Sequence, residues 1–367
     1  DHGLRLFEVN TRFTGISGVR ARLGFNEVEA CLMHWLLKKR LILETKSNRI
    51  GIQQVNSRVV DPEIAHQRET PPLQLHRQKN KPTLLVTGST GEIGKRLVKE
   101  ILNRGTYRIM TLDRNKAAAA ERYRDAAESD HYDWSDLQSG TLDLSTVNRI
   151  FHLASARPQH GNTEIALSLK RSQALFARAA QFSVKEIINI SSQSVYTNLT
   201  EGLSLETDDP NPNSPYGMSK YALETYLQNL GALTPNLKHT SIRLGTVSGV
   251  HSDAYANELL SRMVQNCITK HEIRIMGAEM MQSRLDISDA VEGLLLLCHS
   301  SSSTWKTTYN LGNTEQSSLG KIAKMIEQES NEKWPDKCLE VTHLPRVSEQ
   351  QFGLNTELFQ KDFRWRA

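Results

Sequence analysis

A glycine-rich turn between a short apolar segment and an amphipathic one constrains the fold of this chain most. The segment "TLLVTG" predicts a buried strand, and "GEIGKRLVKEILNRG" predicts a helix with one apolar face that ends at Gly105. Gly88, Gly91 and Gly94 lie between them. Glycines so placed allow a tight turn, a close approach of backbone to a pyrophosphate, and close packing of helix on strand. A helix N-terminus also attracts phosphate, so this unit predicts a dinucleotide site.

Strand-like and helix-like segments alternate from Lys81 onward. "YRIMTLD", "VNRIFHLAS", "EIINISS" and "HTSIRLGTV" are typical of strands, and "LKRSQALFARAAQ" and "PYGMSKYALETYLQNL" are typical of helices. This alternation predicts an α/β protein with a Rossmann-type doubly wound parallel sheet. We expect residues 81–250 to form the dinucleotide-binding domain and residues 251–367 a smaller substrate-binding subdomain interleaved with it. The polar residues 46–80 are typical of a linker to an N-terminal appendage, residues 1–45.

The bulk composition excludes several classes of protein. The chain has 367 residues and a net charge of +4 without a dense basic block, which argues against a nucleic-acid partner. Its longest apolar run, "GLLLLC", is too short to cross a bilayer, so no membrane partner is expected. The four cysteines are far apart and form no CxxC pair, which argues against disulfides and a metal site. We therefore expect a cytoplasmic protein.

A carboxylate follows the second predicted strand. Asp113 ends "YRIMTLD", where it can accept hydrogen bonds from both hydroxyls of an adenosine ribose. A 2′-phosphate would be repelled there, so the sequence favours NAD over NADP. Arg114 follows directly and can stack on adenine or attract a phosphate, which leaves NADP open as an alternative.

One tyrosine and one lysine are spaced for joint chemistry. In "SPYGMSK", Tyr216 and Lys220 are four residues apart on a predicted helix, so their side chains share one face. A free phenol has a pKa near 10, too high for a base at neutral pH. A neighbouring ammonium group favours the phenolate and lowers that pKa towards the working range. The alternative is a surface tyrosine and lysine with no shared role.

Nine stretches occur in the order and spacing of one enzyme family. They are "VTGSTGEIG", "LDR", "YDWSD", "IFHLAS", "ISSQSVY", "SPYGMSKYALE", "RLGTVSG", "DISDAVEGL" and "YNLGN". From about residue 82 onward the chain resembles an extended short-chain dehydrogenase/reductase of the NAD-dependent epimerase/dehydratase family. The resemblance implies Ser192, Tyr216 and Lys220 as the catalytic set. Tyr216 would exchange a proton with the substrate hydroxyl, and Ser192 would hydrogen-bond the same oxygen.

The resemblance also implies a set of ligand-binding residues. The cofactor residues would be Gly88, Ser89, Thr90, Gly91, Glu92, Ile93, Gly94, Asp113, Arg114, Asp133, Trp134, Leu153, Ala154, Ser155, Tyr216 and Lys220. The candidate substrate residues are Arg157, Ser192, Gln193 and Arg284. The chain departs from the family at Leu169, close to the place of a usual asparagine, and at "VYT" in place of "VYG". For Arg284 a plain surface arginine is an equal alternative.

Two residues after Ser192 bear on the type of reaction. Related sugar-nucleotide 4,6-dehydratases carry an Asp–Glu pair where this chain has Gln193 and Ser194, because removal of water needs an added acid and base. Neither side chain titrates near neutral pH. The sequence therefore favours a sugar-nucleotide epimerase, with an NAD(P)-dependent reductase or dehydrogenase of a non-sugar substrate as the alternative. A non-catalytic NAD-binding protein is a third reading, and a homodimer through the Tyr216 helix would be usual for the family.

The N-terminal segment resembles a different family. In "LRLFEVNTRFTGIS", Glu8, Asn10 and Arg12 fall on one face of a predicted strand, a set suited to Mg²⁺ and phosphate. With "RARLGFNEVEACLMHWL" it resembles the C-terminal end of an ATP-grasp ligase, in which the matching Glu and Asn hold Mg²⁺. The ATP-binding lobes of such a ligase would lie upstream and are absent here. The resemblance would then make the chain a piece of a ligase–oxidoreductase fusion or a decayed one, with Glu8 and Asn10 as a vestige. The alternative is an exposed strand and helix with no function.

Overall fold

The computed structural model describes residues 50–52, 58–60, 81–126, 129–196, 202–249, 259–334, 340–344 and 353–367. Its contacts divide the chain into two units, Asp1–Lys79 and Asn80–Ala367. In the first unit, strands β1 (Ile50–Ile52) and β2 (Arg58–Val60) pair antiparallel. This pair falls in the stretch expected to be a linker. The segment that resembles an ATP-grasp ligase lies outside the described residues, so that interpretation stays a prediction.

The second unit is built on a seven-stranded parallel sheet. Its strands are β3 (Thr83–Thr87), β4 (Arg108–Asp113), β5 (Ser129–Asp133), β6 (Arg149–His152), β7 (Glu186–Ser192), β8 (Lys238–Leu244) and β12 (Thr308–Leu311). Their spatial order is β12-β8-β7-β6-β3-β4-β5. The chain runs outward from β3 to β5 and then crosses back to place β6 on the other side of β3. This order confirms the predicted doubly wound fold, in which ligands bind at the switch point between β3 and β6.

Helices pack on both faces of this sheet and on a smaller region of the same unit. They are α1 (Glu92–Arg104), α2 (Lys116–Arg122), α3 (Trp134–Ser139), α4 (Asn162–Gln181), α5 (Pro215–Leu233), α6 (Leu259–Lys270), α7 (Ile287–His299), α8 (Leu319–Lys333) and α9 (Glu357–Phe363). Apolar residues of α1, α7 and α9 share one buried cluster with the sheet, and residues of α3, α4 and α5 share another. Among the helices in the described ranges, none combines the length and apolar composition that crossing a bilayer requires.

The first helix forms as its apolar spacing predicts. Leu97, Val98 and Ile101 are fully buried against the sheet. Gly105 ends the helix with a φ of 62°, and its N–H donates to the carbonyl oxygens of Ile101 and Leu102. A side chain at this left-handed position would be strained, so glycine stops the helix here. The fourth helix is longer than predicted, because it begins at Asn162 and not at Leu169.

A smaller region follows β8. Strands β9 (Thr246–Ser248), β11 (Met281–Asp286) and β13 (Gln316–Ser318) form one sheet. Strands β10 (Glu272–Met276) and β14 (Glu340–Leu344) pair in parallel, and β10 shares an apolar cluster with α6 and α8.

The prediction of one continuous strand in "HTSIRLGTV" was wrong. The N–H of Gly245 still donates to the carbonyl of Leu311 in β12, but β9 then pairs with β11. A Cβ on Gly245 would lie 3.4 Å from the Cα of Gly312, so the backbones of these glycines approach closely where the chain leaves the main sheet.

Candidate active site

A cavity of about 570 Å³ opens at the switch point of the sheet. Residues at the carboxyl ends of β3, β4, β6, β7 and β8 line it, together with residues from the first turns of α1 and α5. Its size is typical of small-molecule sites. All of the lining residues that the structure describes lie between Gly88 and Val247, in the second unit.

The glycine turn forms one wall of this cavity. Gly88 has a φ of 71°, and a Cβ on it would lie 2.9 Å from the backbone nitrogen of Ala154. A Cβ on Gly94 would lie 2.1 Å from the carbonyl oxygen of Gly88. Within the described part of the chain, no side chain caps α1 at its N-cap residue, Gly91. The turn therefore brings the N-terminus of α1 to the cavity, which fits a pyrophosphate.

Asp113 stands at the end of β4 and lines the same cavity. Its Oδ2 accepts from Ser89 Oγ at 2.6 Å, and its Oδ1 accepts from the backbone N–H and Oγ1 of Thr90 at 3.2 and 3.1 Å. Ser89 is fully buried and does not line the cavity, so it supports the carboxylate from behind. A carboxylate has about four lone-pair sites, so Asp113 retains capacity for a ribose hydroxyl.

The other predicted cofactor residues divide into two groups. The cavity is lined by most of them: Thr90, Glu92, Ile93, Arg114, Trp134, Leu153, Ala154 and Ser155. Asp133 is not among the lining residues. Its carboxylate caps α3 by accepting from the backbone N–H groups of Ser135 and Asp136. The structure thus gives Asp133 a local role in ending β5 and starting α3.

The three candidate catalytic residues face the cavity together. Lys220 is buried and its Nζ donates to the carbonyl oxygen of Ile190 at 2.7 Å. The same Nζ lies 5.8 Å from the ring centroid of Tyr216, one helical turn earlier on α5. Ser192 is the last residue of β7. Its Oγ accepts from the backbone N–H of Ser194 at 3.1 Å and donates to Ser194 Oγ at 3.2 Å. A hydroxyl, a phenol and an ammonium group therefore border one space.

Burial changes the acid–base behaviour of the lysine. Desolvation lowers the pKa of Lys220 to about 8, and the nearby Glu224 carboxylate opposes this shift. Glu224, one turn further along α5, is itself buried and pairs with Arg243 at 2.9 Å. It also accepts a hydrogen bond from Ser191 Oγ. Lys220 is thus a cation at pH 7 that loses its proton more readily than a lysine in water.

The candidate substrate residues lie in different places. Arg157 lines the cavity, as does Ser192. Gln193 does not line it, and its Nε2 donates to Thr246 Oγ1 at 2.9 Å. Arg284 does not line it either. It lies on β11 and donates to Ser248 Oγ at 3.0 Å and to Gln282 Oε1 at 2.9 Å.

Sequence reasoning missed one wall of the cavity. Glu164, Ser168 and Arg171 on α4 and His160 just before it are lining residues. The spacing of the first three, at i, i+4 and i+7, places them on one helical face and was the available signal. It was overlooked because the predicted helix began only at Leu169.

Comparison with known proteins places the chain in a family. A model of the NAD dependent epimerase/dehydratase family matches residues 84–312, more than half of the chain. The chain belongs to the NAD dependent epimerase/dehydratase family. Among curated proteins it is similar to UDP-glucose 4-epimerase of Bacillus subtilis (strain 168), with 25% identity over 284 residues, which cover 69% of this chain and 83% of the relative. The recognition from motifs and the cofactor prediction of NAD are thereby confirmed at the level of the family.

Solved structures of the family share the fold. UDP-glucose 4-epimerase of Thermotoga maritima with UDP-glucose superimposes with a TM-score of 0.66 at 22% identity, covering 77% of this chain and 93% of that one. DesIV, a dTDP-glucose 4,6-dehydratase from Streptomyces venezuelae with NAD bound, gives 0.65 at 19% identity, covering 77% and 91%. An epimerase and a dehydratase thus fit equally well, and the type of reaction has to be argued from the site.

Proposed function

We propose that this chain is an NAD-dependent epimerase of a nucleotide sugar. The observation that carries the proposal is that Ser192, Tyr216 and Lys220 border the same cavity as the glycine turn. A nicotinamide dinucleotide laid along that turn would bring its reactive end towards these three side chains. A protein that only bound the dinucleotide would have no need for them.

Tyr216 is the proposed acid and base. NAD, when bound, supplies the acceptor for a hydride and later its donor. Tyr216 Oη takes the proton of a sugar hydroxyl as the carbon that carries it is oxidised to a ketone, and it returns a proton when that carbon is reduced from the other face. The charge of Lys220 stabilises the phenolate form of Tyr216 before the proton is taken up and after it is returned. Ser192 Oγ donates to the reacting oxygen and shares its developing charge.

The residues beyond Ser192 favour redox chemistry alone. A dehydratase needs an additional acid and base to remove water. Gln193 and Ser194 occupy the positions where such groups stand in the related dehydratases, and neither titrates near neutral pH. Gln193 is also turned towards Thr246 and does not line the cavity. These features support epimerisation or reduction over elimination.

Asp113 supports NAD as the cofactor of this chain. Its carboxylate lines the cavity at the end of β4, where an adenosine ribose lies in folds of this type. A phosphate on the ribose 2′-oxygen would meet this negative charge. We therefore expect NAD to bind more tightly than NADP, in spite of the neighbouring Arg114.

The test is turnover without added cofactor. The full chain is purified, its bound NAD(H) is released from one portion and quantified, and another portion is incubated with UDP-glucose, UDP-xylose, UDP-glucuronic acid and dTDP-glucose. Products are identified by NMR. We expect bound NAD and conversion of at least one sugar to its epimer. A 4-keto-6-deoxy product would establish a dehydratase, and accumulation of NADH with substrate would establish a one-way dehydrogenase.

Tyr216→Phe is the matched variant, because it removes only the hydroxyl. We expect turnover to fall by about 100-fold or more while NAD binding persists. Undiminished turnover would rule out Tyr216 as the acid and base.

A further inference from the structure

A polar chain centred on His152 runs behind the wall of the cavity. His152 ends β6 and is 1% exposed. Its Nδ1 lies 2.8 Å from Thr87 Oγ1, at the end of β3, and its Nε2 lies 2.9 Å from Ser172 Oγ, on α4. The Phe176 ring packs edge-on against the imidazole at 5.0 Å. The imidazole thus joins three elements that border the cavity, and the proposed reaction uses none of these side chains.

The direction of each hydrogen bond follows from counting protons. Ser172 Oγ donates its single proton to the carbonyl oxygen of Ser168 at 2.9 Å, so His152 Nε2 has to donate to Ser172. Burial, with the charge of Lys220, lowers the pKa of His152 to about 3, so the ring is neutral at pH 7. Its Nδ1 is therefore an acceptor, and Thr87 Oγ1 donates to it.

The polar chain ends on the backbone of the cavity wall. Because Thr87 Oγ1 gives its proton to the imidazole, it can accept from the backbone N–H of Ala154, at 3.0 Å. Ala154 lines the cavity and packs directly on the backbone of Gly88. Two residues on, the N–H of Ala156 donates to Ser168 Oγ at 3.1 Å. The cavity wall at residues 153–156 is thus held at two points. Ala154 is held by Thr87, which belongs to the Thr87–His152–Ser172 chain, and Ala156 is held by Ser168, one turn before Ser172 on α4.

We propose that His152, protonated at Nε2 alone, is a positioning residue that holds the wall at residues 153–156 against the glycine turn and thereby sets the affinity for the dinucleotide. The identity of that ligand rests on the proposed function. The positioning itself does not. A second proton on Nδ1 would make it a donor to Thr87 Oγ1, whose own proton would then need a new acceptor in a fully buried place. Only one tautomer therefore completes the polar chain.

Substitutions at Thr87 test the hydrogen bond between Thr87 Oγ1 and the N–H of Ala154 with little change in side-chain volume. Thr87→Val keeps the shape and deletes the hydroxyl, whereas Thr87→Ser keeps the hydroxyl and serves as the conservative rescue. Thr240→Val is the matched control, because Thr240 is equally buried in β8 and its Oγ1 has no hydrogen-bond partner among the described residues. Two quantities are measured on the full chain: amide hydrogen exchange at Ala154 without ligand, and the Kd for NAD after release of bound cofactor.

We expect Thr87→Val to speed hydrogen exchange at Ala154 about tenfold and to weaken NAD binding about tenfold, because the N–H of Ala154 and the Nδ1 of His152 both lose their partner. Thr87→Ser and Thr240→Val should stay within about threefold of the parent chain in both quantities. Unchanged exchange at Ala154 in Thr87→Val would overturn the proposal, and so would unchanged affinity with faster exchange. If the parent chain binds no NAD, the proposed function fails, and the exchange result still decides the positioning.

The protonation of the two ring nitrogens of His152 can be measured in the parent chain, so this test does not depend on the activity of any variant. In the parent chain labelled with ¹⁵N-histidine, the ring signals of His152 are identified as those lost in His152→Asn. We expect a protonated Nε2 and an unprotonated Nδ1 at pH 7. A protonated Nδ1 would contradict the donor and acceptor roles assigned to the Thr87–His152–Ser172 hydrogen bonds.

Discussion

Lys220 carries a cost in stability that its proposed role in the reaction would require. A charged ammonium group is buried beneath the cavity, with one hydrogen bond to Ile190 and a carboxylate, Glu224, on the next turn. Desolvation lowers its pKa from 10.5 to about 8, so the folded protein binds this proton less tightly than the unfolded chain does. The contribution of Lys220 to the free energy of unfolding is therefore most favourable above pH 10.5, and this advantage is lost as the pH falls through about 8.

Lys220→Met separates this cost from the catalytic role. We expect the variant to lose turnover by about 100-fold or more. At pH 7 we expect its free energy of unfolding to exceed that of the parent chain by about 1 kcal/mol, after allowance for the lost hydrogen bond. The difference should shrink as the pH rises from 8 towards 10.5, the window set by the two pKa values. Chemical denaturation at pH 7 and pH 9.5 measures it, and a Met variant less stable at pH 7 would show that Lys220 is not a buried cation.

At the scale of elements, the packing of α1 on β3 builds the cavity wall on which the dinucleotide is proposed to lie. Gly94 is in the first turn of α1, and a Cβ there would lie 2.1 Å from the carbonyl oxygen of Gly88. That atom is backbone and cannot rotate away, so the helix would have to move off the turn. The N–H groups of α1 that face the cavity would move with it.

Gly94→Ala should therefore weaken NAD binding by about tenfold or more, while the fold persists with a loss of about 1–3 kcal/mol in stability. Gly320→Ala is the matched control, because Gly320 lies in the first turn of α8 and a Cβ there would meet its nearest atom at 3.3 Å. The control should leave the Kd for NAD unchanged. Equal affinities of Gly94→Ala and the parent chain would mean that the dinucleotide does not lie along this turn.

The elements were predictable where a local pattern specified them. The apolar spacing of "GEIGKRLVKEILNRG" and the run "EIINISS" correspond closely to α1 and β7, because neighbours in sequence determine both. The split between β8 and β9 was not predictable, since β9 pairs with β11, which lies far along the chain. The His152 chain was missed for the same reason, because Thr87 and Ser172 are brought to it only by the fold. Glu224 could have been found, since it repeats the spacing of four residues that joins Tyr216 to Lys220.

At the scale of the whole molecule, the cavity belongs to one unit. Among the described residues, every one that lines the cavity lies within Asn80–Ala367, and the family match begins at residue 84. We expect a chain comprising residues 80–367 to bind NAD with the same Kd as the full chain, as measured by calorimetry on both proteins. A loss of affinity on truncation would show that residues before Asn80 contribute to the site.

The most direct test of the central claim follows the hydrogen at the reacting carbon. UDP-glucose deuterated at C4, or the corresponding form of whichever sugar reacts, is incubated with the purified chain and its bound NAD. Redox-only epimerisation through Tyr216 predicts an epimer that keeps deuterium at the same carbon, with none of it in solvent. It also predicts that Tyr216→Phe forms this epimer at least about 100-fold more slowly. Loss of the deuterium to solvent, or an eliminated product, would contradict the account.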